Sequence, residues 1–223
     1  MLSIAITSDK LAAMKKTKEE AQKTKDKILA AALDCFSERG YFNTSLDQIA
    51  KQASVTRGAV YWHFKNKPEI FDALHTLLHE PFIQIILEDL EQEADEPISQ
   101  LRQLCIKLLY NLKDNQTKTR IMKLFFECDY SGNLEQFKKP HQDRKLNSLK
   151  LFIQYFERAQ AIGHLNSNAD AEVLTLTLHC FLKGILFEYL NGSGLIDIET
   201  HGKKLINQFF LGFNQCHNSR QKP

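Results

Sequence analysis

The chain has 223 residues, 43% of them hydrophobic and 25% charged, with a net charge of +2 at pH 7. These totals are those of a globular protein with ample core material, and they exclude a low-complexity or highly charged disordered chain. Cys35, Cys105, Cys128, Cys180 and Cys216 are scattered without a CxxC pair, which excludes a disulfide scaffold. No stretch approaches about 18 uninterrupted apolar residues, so no membrane span is expected.

Apolar residues recur throughout at i, i+3, i+4 and i+7, and alternating patterns are essentially absent, so the expected class is all-α. Residues 1–14 are expected to be an extension, disordered or of marginal helicity, because Met14 opens the basic run MKKTKEEAQKTKDK. The charge is divided along the chain. Residues 14–67 carry eleven Lys/Arg against six Asp/Glu, and residues 68–223 carry seventeen against twenty. The first part is suited to an anionic partner and the second is not.

The first periodic segment, KTKDKILAAALDCFSERG, places Ile28, Ala31, Ala32, Cys35 and Phe36 on one face, and Gly40 stands where a left-handed residue ends a helix. In TSLDQIAKQA, Ser45 and Gln48 have capping-box spacing ahead of the apolar set Leu46, Ile49, Ala50 and Ala53. Ser54 and Val55 make a tight break, and a third helix follows over about 56–64. Three short helices with a brief turn between the last two is the helix-turn-helix arrangement. In TRGAVYWHFKNK, Val60 and Phe64 face inward. Arg57, Tyr61 and Lys65 share the opposite face, flanked by Trp62 and His63. Cations for phosphates beside planar groups for base edges fit double-stranded DNA.

The stretch TSLDQIAKQASVTRGAVYWHFKNKPEIF resembles the N-terminal domain of the TetR family of transcriptional repressors. TRGAVYWHFKNK and MKKTKEEAQKTKDKIL are similar to that family's multidrug-efflux-pump regulator branch. The motifs cover about residues 15–75, and beyond them the likeness is one of length and helical character. The resemblance implies a helix-turn-helix over 45–64. It matches Thr44, Tyr61, His63 and Lys67 to phosphate-contacting positions, and Arg57, Gly58 and Ala59 to the base-facing start of the recognition helix. Ser45, Trp62 and Lys65 complete the candidate DNA-binding set. Small residues at 58 and 59 allow close entry into the major groove. The expected domains are a DNA-binding domain at 15–67, a ligand-binding and dimerisation bundle at 68–217, and a tail at 218–223.

Asn66 and Glu69 have cap spacing for a fourth helix, and Pro81 within its pattern is expected to kink or break it. His75 and His79 have metal-ligand spacing, yet no HExxH motif or nearby Cys or carboxylate cluster accompanies them, so they are expected as half-exposed helix residues and no metal or cofactor is assigned. Later helices are expected at about 97–115, 117–129, 133–162, 169–190 and 198–216. Twelve of the fifteen Phe lie after residue 67. Phe82, Ile86, Phe126, Phe152 and Phe156 form aromatic and apolar stripes that suit either plain core or a ligand pocket. With Glu127 and Asp129 nearby, such a pocket would take a small hydrophobic effector, cationic in one version. The last two helices are apolar on more than one side, which asks for a partner on both sides. The resemblance implies a homodimer through them, with Leu178, Phe181, Ile185, Phe209, Phe210 and Phe213 as interface candidates.

No Gly-rich phosphate loop, paired acidic motif or nucleophile–base–acid constellation is present, which argues against an enzyme. A cytoplasmic repressor of efflux or transport genes is therefore expected. A DNA-binding activator or a protein-binding adaptor is a rival reading of the same face, and reporter expression in a deletion strain separates repressor from activator.

Overall fold

The computed structural model describes the backbone of residues 2–92 and 94–218 and the side chains of 17–92 and 94–212. Among these residues it is all-helical: α1 (Leu2–Arg39), α2 (Leu46–Gln52), α3 (Arg57–His63), α4 (Lys67–Leu90), α5 (Pro97–Lys113), α6 (Gln116–Phe126), α7 (Glu135–Ala161), α8 (Ala171–Leu190) and α9 (Lys203–Asn218). A 3-10 turn at Gly132–Leu134 precedes α7, and a π-helical turn at Ile198–Gly202 precedes α9. The chain forms two compact units, Met1–Thr76 and Leu77–Pro223.

The first unit begins with one long helix. The backbone is helical from Leu2 to Arg39, a span that neither Gly nor Pro interrupts. Gly40, at φ 78°, ends α1. Ser45 caps α2 with both halves of the capping box in place. The turn after α2 passes through Ser54 at φ 55°, a left-handed residue that is not glycine. Thr56 then caps α3, accepting from the Ala59 N–H at 3.1 Å.

The core of this unit joins Ile28, Ala32, Leu33 and Phe36 of α1 to Ile49, Ala50, Val60 and Phe64, all of them buried. The rings of Phe36, Tyr41 and Phe71 meet at 5.2–6.5 Å between centroids. Ile70, Phe71 and Leu74 of α4 are buried as well, so the first turns of α4 belong to this unit. At the start of α4, Asn66 accepts from the Glu69 N–H at 2.9 Å, and Glu69 accepts from the Lys65 N–H at 2.8 Å. α4 then continues as one helix through Pro81, so the break that was one of the two expectations there does not occur.

The second unit packs α5, α7, α8 and α9 around Ile86 and Leu90 of α4. Its core holds Leu101, Leu104, Phe152, Tyr155, Phe156, Leu178, Ile185, Ile206 and Phe210. Polar side chains hold the last turn of α4: Tyr155 donates its hydroxyl to Asp89 Oδ2 at 2.7 Å, and Arg158 donates to the Leu90 carbonyl. α8 is long and apolar enough to cross a membrane by length and composition alone. Its buried residues are Thr175, Leu178, Ile185 and Leu190, and of these Leu178 and Ile185 belong to the helical core.

Candidate nucleic-acid interface

α3 has two faces of opposite character. Val60 is buried within α3 and Phe64 is buried at its end, while Arg57, Gly58, Tyr61, Trp62 and Lys65 are exposed. Trp62 is 72% exposed and Tyr61 45%, an unusual outlay of aromatic surface in water. A Cβ added at Gly58 would meet only Thr56 Oγ1, at 3.9 Å, so nothing crowds the start of the helix. Ala59 is half-buried, and Ser45 is exposed with its hydroxyl on the Gln48 N–H at 3.2 Å.

Arg57 is held in place. Its Nε lies 3.2 Å from Asp47 Oδ1, one of its Nη atoms lies 3.4 Å from Asp47 Oδ2, and the other donates to the Tyr61 hydroxyl at 3.3 Å. The guanidinium carbon is 5.4 Å from the Tyr61 ring centroid. Sequence reading did not single out Asp47. The available signal was a lone carboxylate in the first turn of α2 within an otherwise basic face, and its value depends on how α2 and α3 pack.

His63 is half-buried with its ring edge-on to Trp62 at 4.5 Å. Burial, with Lys25 nearby, pushes its pKa below 6.5, so it is mostly neutral at pH 7. Two residues expected at phosphates turn inward. Thr44 is 3% exposed, and its hydroxyl lies within bonding distance of the Gly40 and Cys35 carbonyls, at 2.9 and 3.2 Å. Lys67 is half-buried, with its ammonium against main-chain carbonyls of the loop before α2. Loop position, which periodicity does not encode, decides both orientations.

In the second unit, Phe82, Ile86, Phe152 and Phe156 come together in one core, with the Phe82 and Phe152 rings 6.4 Å apart. Phe126 and Glu127 lie outside that core. The Phe126 ring is 5.9 Å from the Lys183 ammonium, and Glu127 is exposed at the end of α6, 3.8 Å from Lys123. His79 bonds Ser148 through Nε2 at 2.9 Å, and no metal-holding cluster occurs among the described residues.

The interface candidates separate. Leu178, Ile185 and Phe210 are buried in the protomer's own core at 1–4% exposure, because α8 and α9 pack on their own bundle first. Phe181 and Phe209 are half-buried and stacked at 4.7 Å, and the side chain of Phe213 lies outside the described residues. The outward stripe of α8 is different: Val173, Leu176, Cys180, Gly184 and Phe187 are all exposed, as is Leu211 on α9.

Residues 28–74 match the family described as bacterial regulatory proteins, tetR family, and residues 96–214 match the C-terminal region of the MAATS-type transcriptional repressors. The HTH-type transcriptional regulator TtgR of Pseudomonas putida is 30% identical over 195 residues, covering 87% of this chain and 93% of TtgR. The structure of SmeT with triclosan superposes with a TM-score of 0.76 at 29% identity, covering 85% of this chain and 91% of SmeT. NalD, the secondary repressor of the MexAB-OprM multidrug efflux pump in Pseudomonas aeruginosa, gives a TM-score of 0.72 at 31% identity. That match covers 87% of this chain and 97% of NalD.

Proposed function

Since the chain belongs to the TetR family of bacterial regulatory proteins, we propose that it is a transcriptional repressor of efflux or transport genes that binds a near-palindromic double-stranded DNA operator. The observation that carries this reading is the exposed face of Arg57, Tyr61, Trp62 and Lys65 on a short helix anchored by Val60 and Phe64. Arg57, Gly58 and Ala59 enter the major groove, where a guanidinium has bidentate acceptors on guanine. Tyr61, Lys65 and, when protonated, His63 meet phosphates on either side.

A homodimer supplies the second reading head. The exposed stripe Val173–Leu176–Cys180–Gly184–Phe187 with Leu211 is its contact surface, and Gly184 lets two helices approach closely. Two α3 helices then reach half-sites about one helical turn apart.

The effector is a small hydrophobic molecule that enters among Phe82, Ile86, Phe152 and Phe156, and a cationic one if Glu127 takes part. A hundredfold weakening of DNA binding requires about 2.7 kcal/mol of coupling between the effector and DNA sites. Acting on chromosomal DNA, the protein works in the cytoplasm.

Sequencing the DNA fragments that co-purify with the protein tests the reading. One enriched near-palindrome upstream of a transport gene supports it, and fragments without a shared motif refute it.

A further inference from the structure

Lys67, the first residue of α4, places its ammonium against three carbonyls of the loop between α1 and α2: Tyr41 at 2.6 Å, Thr44 at 2.7 Å and Phe42 at 3.3 Å. An ammonium has three N–H donors and no acceptor. All three donors are taken within the protein, and none is left for a phosphate oxygen. The same cation lies 4.3 Å from the centroid of the buried Tyr41 ring. Burial lowers its pKa below the usual lysine value.

The socket adjoins the reading head. The Thr44 carbonyl that Lys67 binds is followed at once by Ser45, which caps α2. Asp47, in the first turn of α2, fixes Arg57 at the start of α3. Thr44 fastens the same loop through its single hydroxyl proton, which has the Gly40 and Cys35 carbonyls within reach. We propose that Lys67 is a positioning residue that clamps the α1–α2 loop to α4 and so sets the register of Asp47 and Arg57, and that it does not neutralise a DNA phosphate. This rests on the reading of α3 as the DNA-reading helix.

The two roles predict opposite signatures. A phosphate contact releases a counterion whatever the sequence, so its loss weakens all DNA alike and lowers the slope of log K against log salt by about 0.9. A clamp on Arg57 affects discrimination, so its loss weakens the preferred site, leaves random DNA nearly untouched and keeps the slope. Charge alone does not restore the clamp, because a planar guanidinium cannot present three donors in the ammonium's tripod.

The experiment uses the full chain and two labelled duplexes, one selected by the wild-type protein from a randomised pool and one of random sequence. Lys67→Met and Lys67→Arg are titrated by anisotropy across a salt series, at a temperature where circular dichroism shows each variant folded. The expected result is a selected-to-random affinity ratio lowered about tenfold or more in both variants, with an unchanged salt slope. An equal loss on both duplexes with a lower slope, wild-type binding by Lys67→Arg, or no change in either variant would overturn the proposal.

Nitrogen-15 spectra of the lysine ammonium groups test the clamp in the wild-type protein, whether or not the variants fold. Lys67 should give a slowly exchanging ammonium signal without DNA and no Nζ-to-phosphorus coupling with it. An ammonium averaging with solvent like that of Lys65, or such a coupling, would also overturn the proposal. A wild-type protein that prefers neither duplex would refute the DNA-binding reading itself, while the DNA-free spectrum would still decide the clamp.

Discussion

Arg57 and Asp47 are joined from one short helix to the previous one, Nε to Oδ1 at 3.2 Å, with both side chains mostly exposed. An exposed pair of this kind contributes little to stability, so its purpose lies in where it aims the guanidinium. Asp47→Ala should leave the melting temperature nearly unchanged. It should strengthen binding to random DNA by removing a negative charge from the face, and it should lower discrimination. Arg57→Ala should lose roughly tenfold or more on the selected duplex and little on the random one. Anisotropy titrations on both duplexes check this, and equal losses on both would contradict it.

Ser54 occupies a left-handed conformation at φ 55° between α2 and α3. A side chain there costs about 1 kcal/mol, which glycine avoids, although glycine also enlarges the unfolded ensemble. Ser54→Gly should therefore raise unfolding stability by about 0.5–1 kcal/mol, and Ser54→Val should lower it by more. Urea unfolding followed by circular dichroism measures both. A less stable Ser54→Gly would show that the serine side chain stabilises the turn.

Phe187 and Phe210 should respond differently to the same change. Phe187 is 50% exposed on α8, whereas Phe210 is 2% exposed in the protomer's core. Phe187→Glu should give folded monomers, since it places a charge on the proposed dimer face. Phe210→Glu should unfold the second unit, since it buries an unpaired carboxylate. Sedimentation separates monomer from dimer and circular dichroism reports folding. A dimeric Phe187→Glu would move the interface elsewhere.

Histidines give the protein an acid limit. Burial lowers the pKa of His63, His79 and His179 below 6.5, reinforced by Lys25 at His63 and by Lys145 and Lys183 at His179. At His79 the Arg144 backbone and Glu80 partly offset burial. As pH falls through about 6.5 the unfolded chain takes up protons first, so stability rises with pH below that point and levels off above it. The melting temperature should drop between about pH 7.5 and pH 5.5, and His79→Gln with His179→Gln should flatten that drop. DNA affinity should change the other way, because a phosphate beside His63 favours its protonated form. His63→Gln should remove that acid-side gain.

Where local chemistry sets local structure, the sequence was a reliable guide. Gly40, the Ser45–Gln48 box and the Asn66–Glu69 cap each lie within a few residues of what they control, and each forms as expected. The inward anchors Val60 and Phe64 followed from helical spacing in the same way. The orientations of Thr44 and Lys67 did not, because the carbonyls they face, in the last turns of α1 and in the loop after it, come together only through the way α1, α2 and α4 pack. α8 failed for a different reason. With apolar residues around its whole circumference, periodicity could not distinguish Leu178, which is buried, from Phe187, which is not. Phe126 was grouped with Phe152 and Phe156 on aromatic character alone, and tertiary packing put it beside Lys183 instead.

The outward position of Cys180 equips the molecule with its own optical reporter. Cys35 and Cys105 are buried with their thiols held protonated, and the Cys128 thiol is pushed up to about 11, so at neutral pH Cys180 is the described cysteine most open to a maleimide dye. Its stripe carries none of the DNA-facing residues, so a fluorophore there leaves the reading head chemically untouched. With Cys216, whose side chain lies outside the described residues, replaced by serine, the labelling rate at increasing protein concentration becomes a direct titration of self-association.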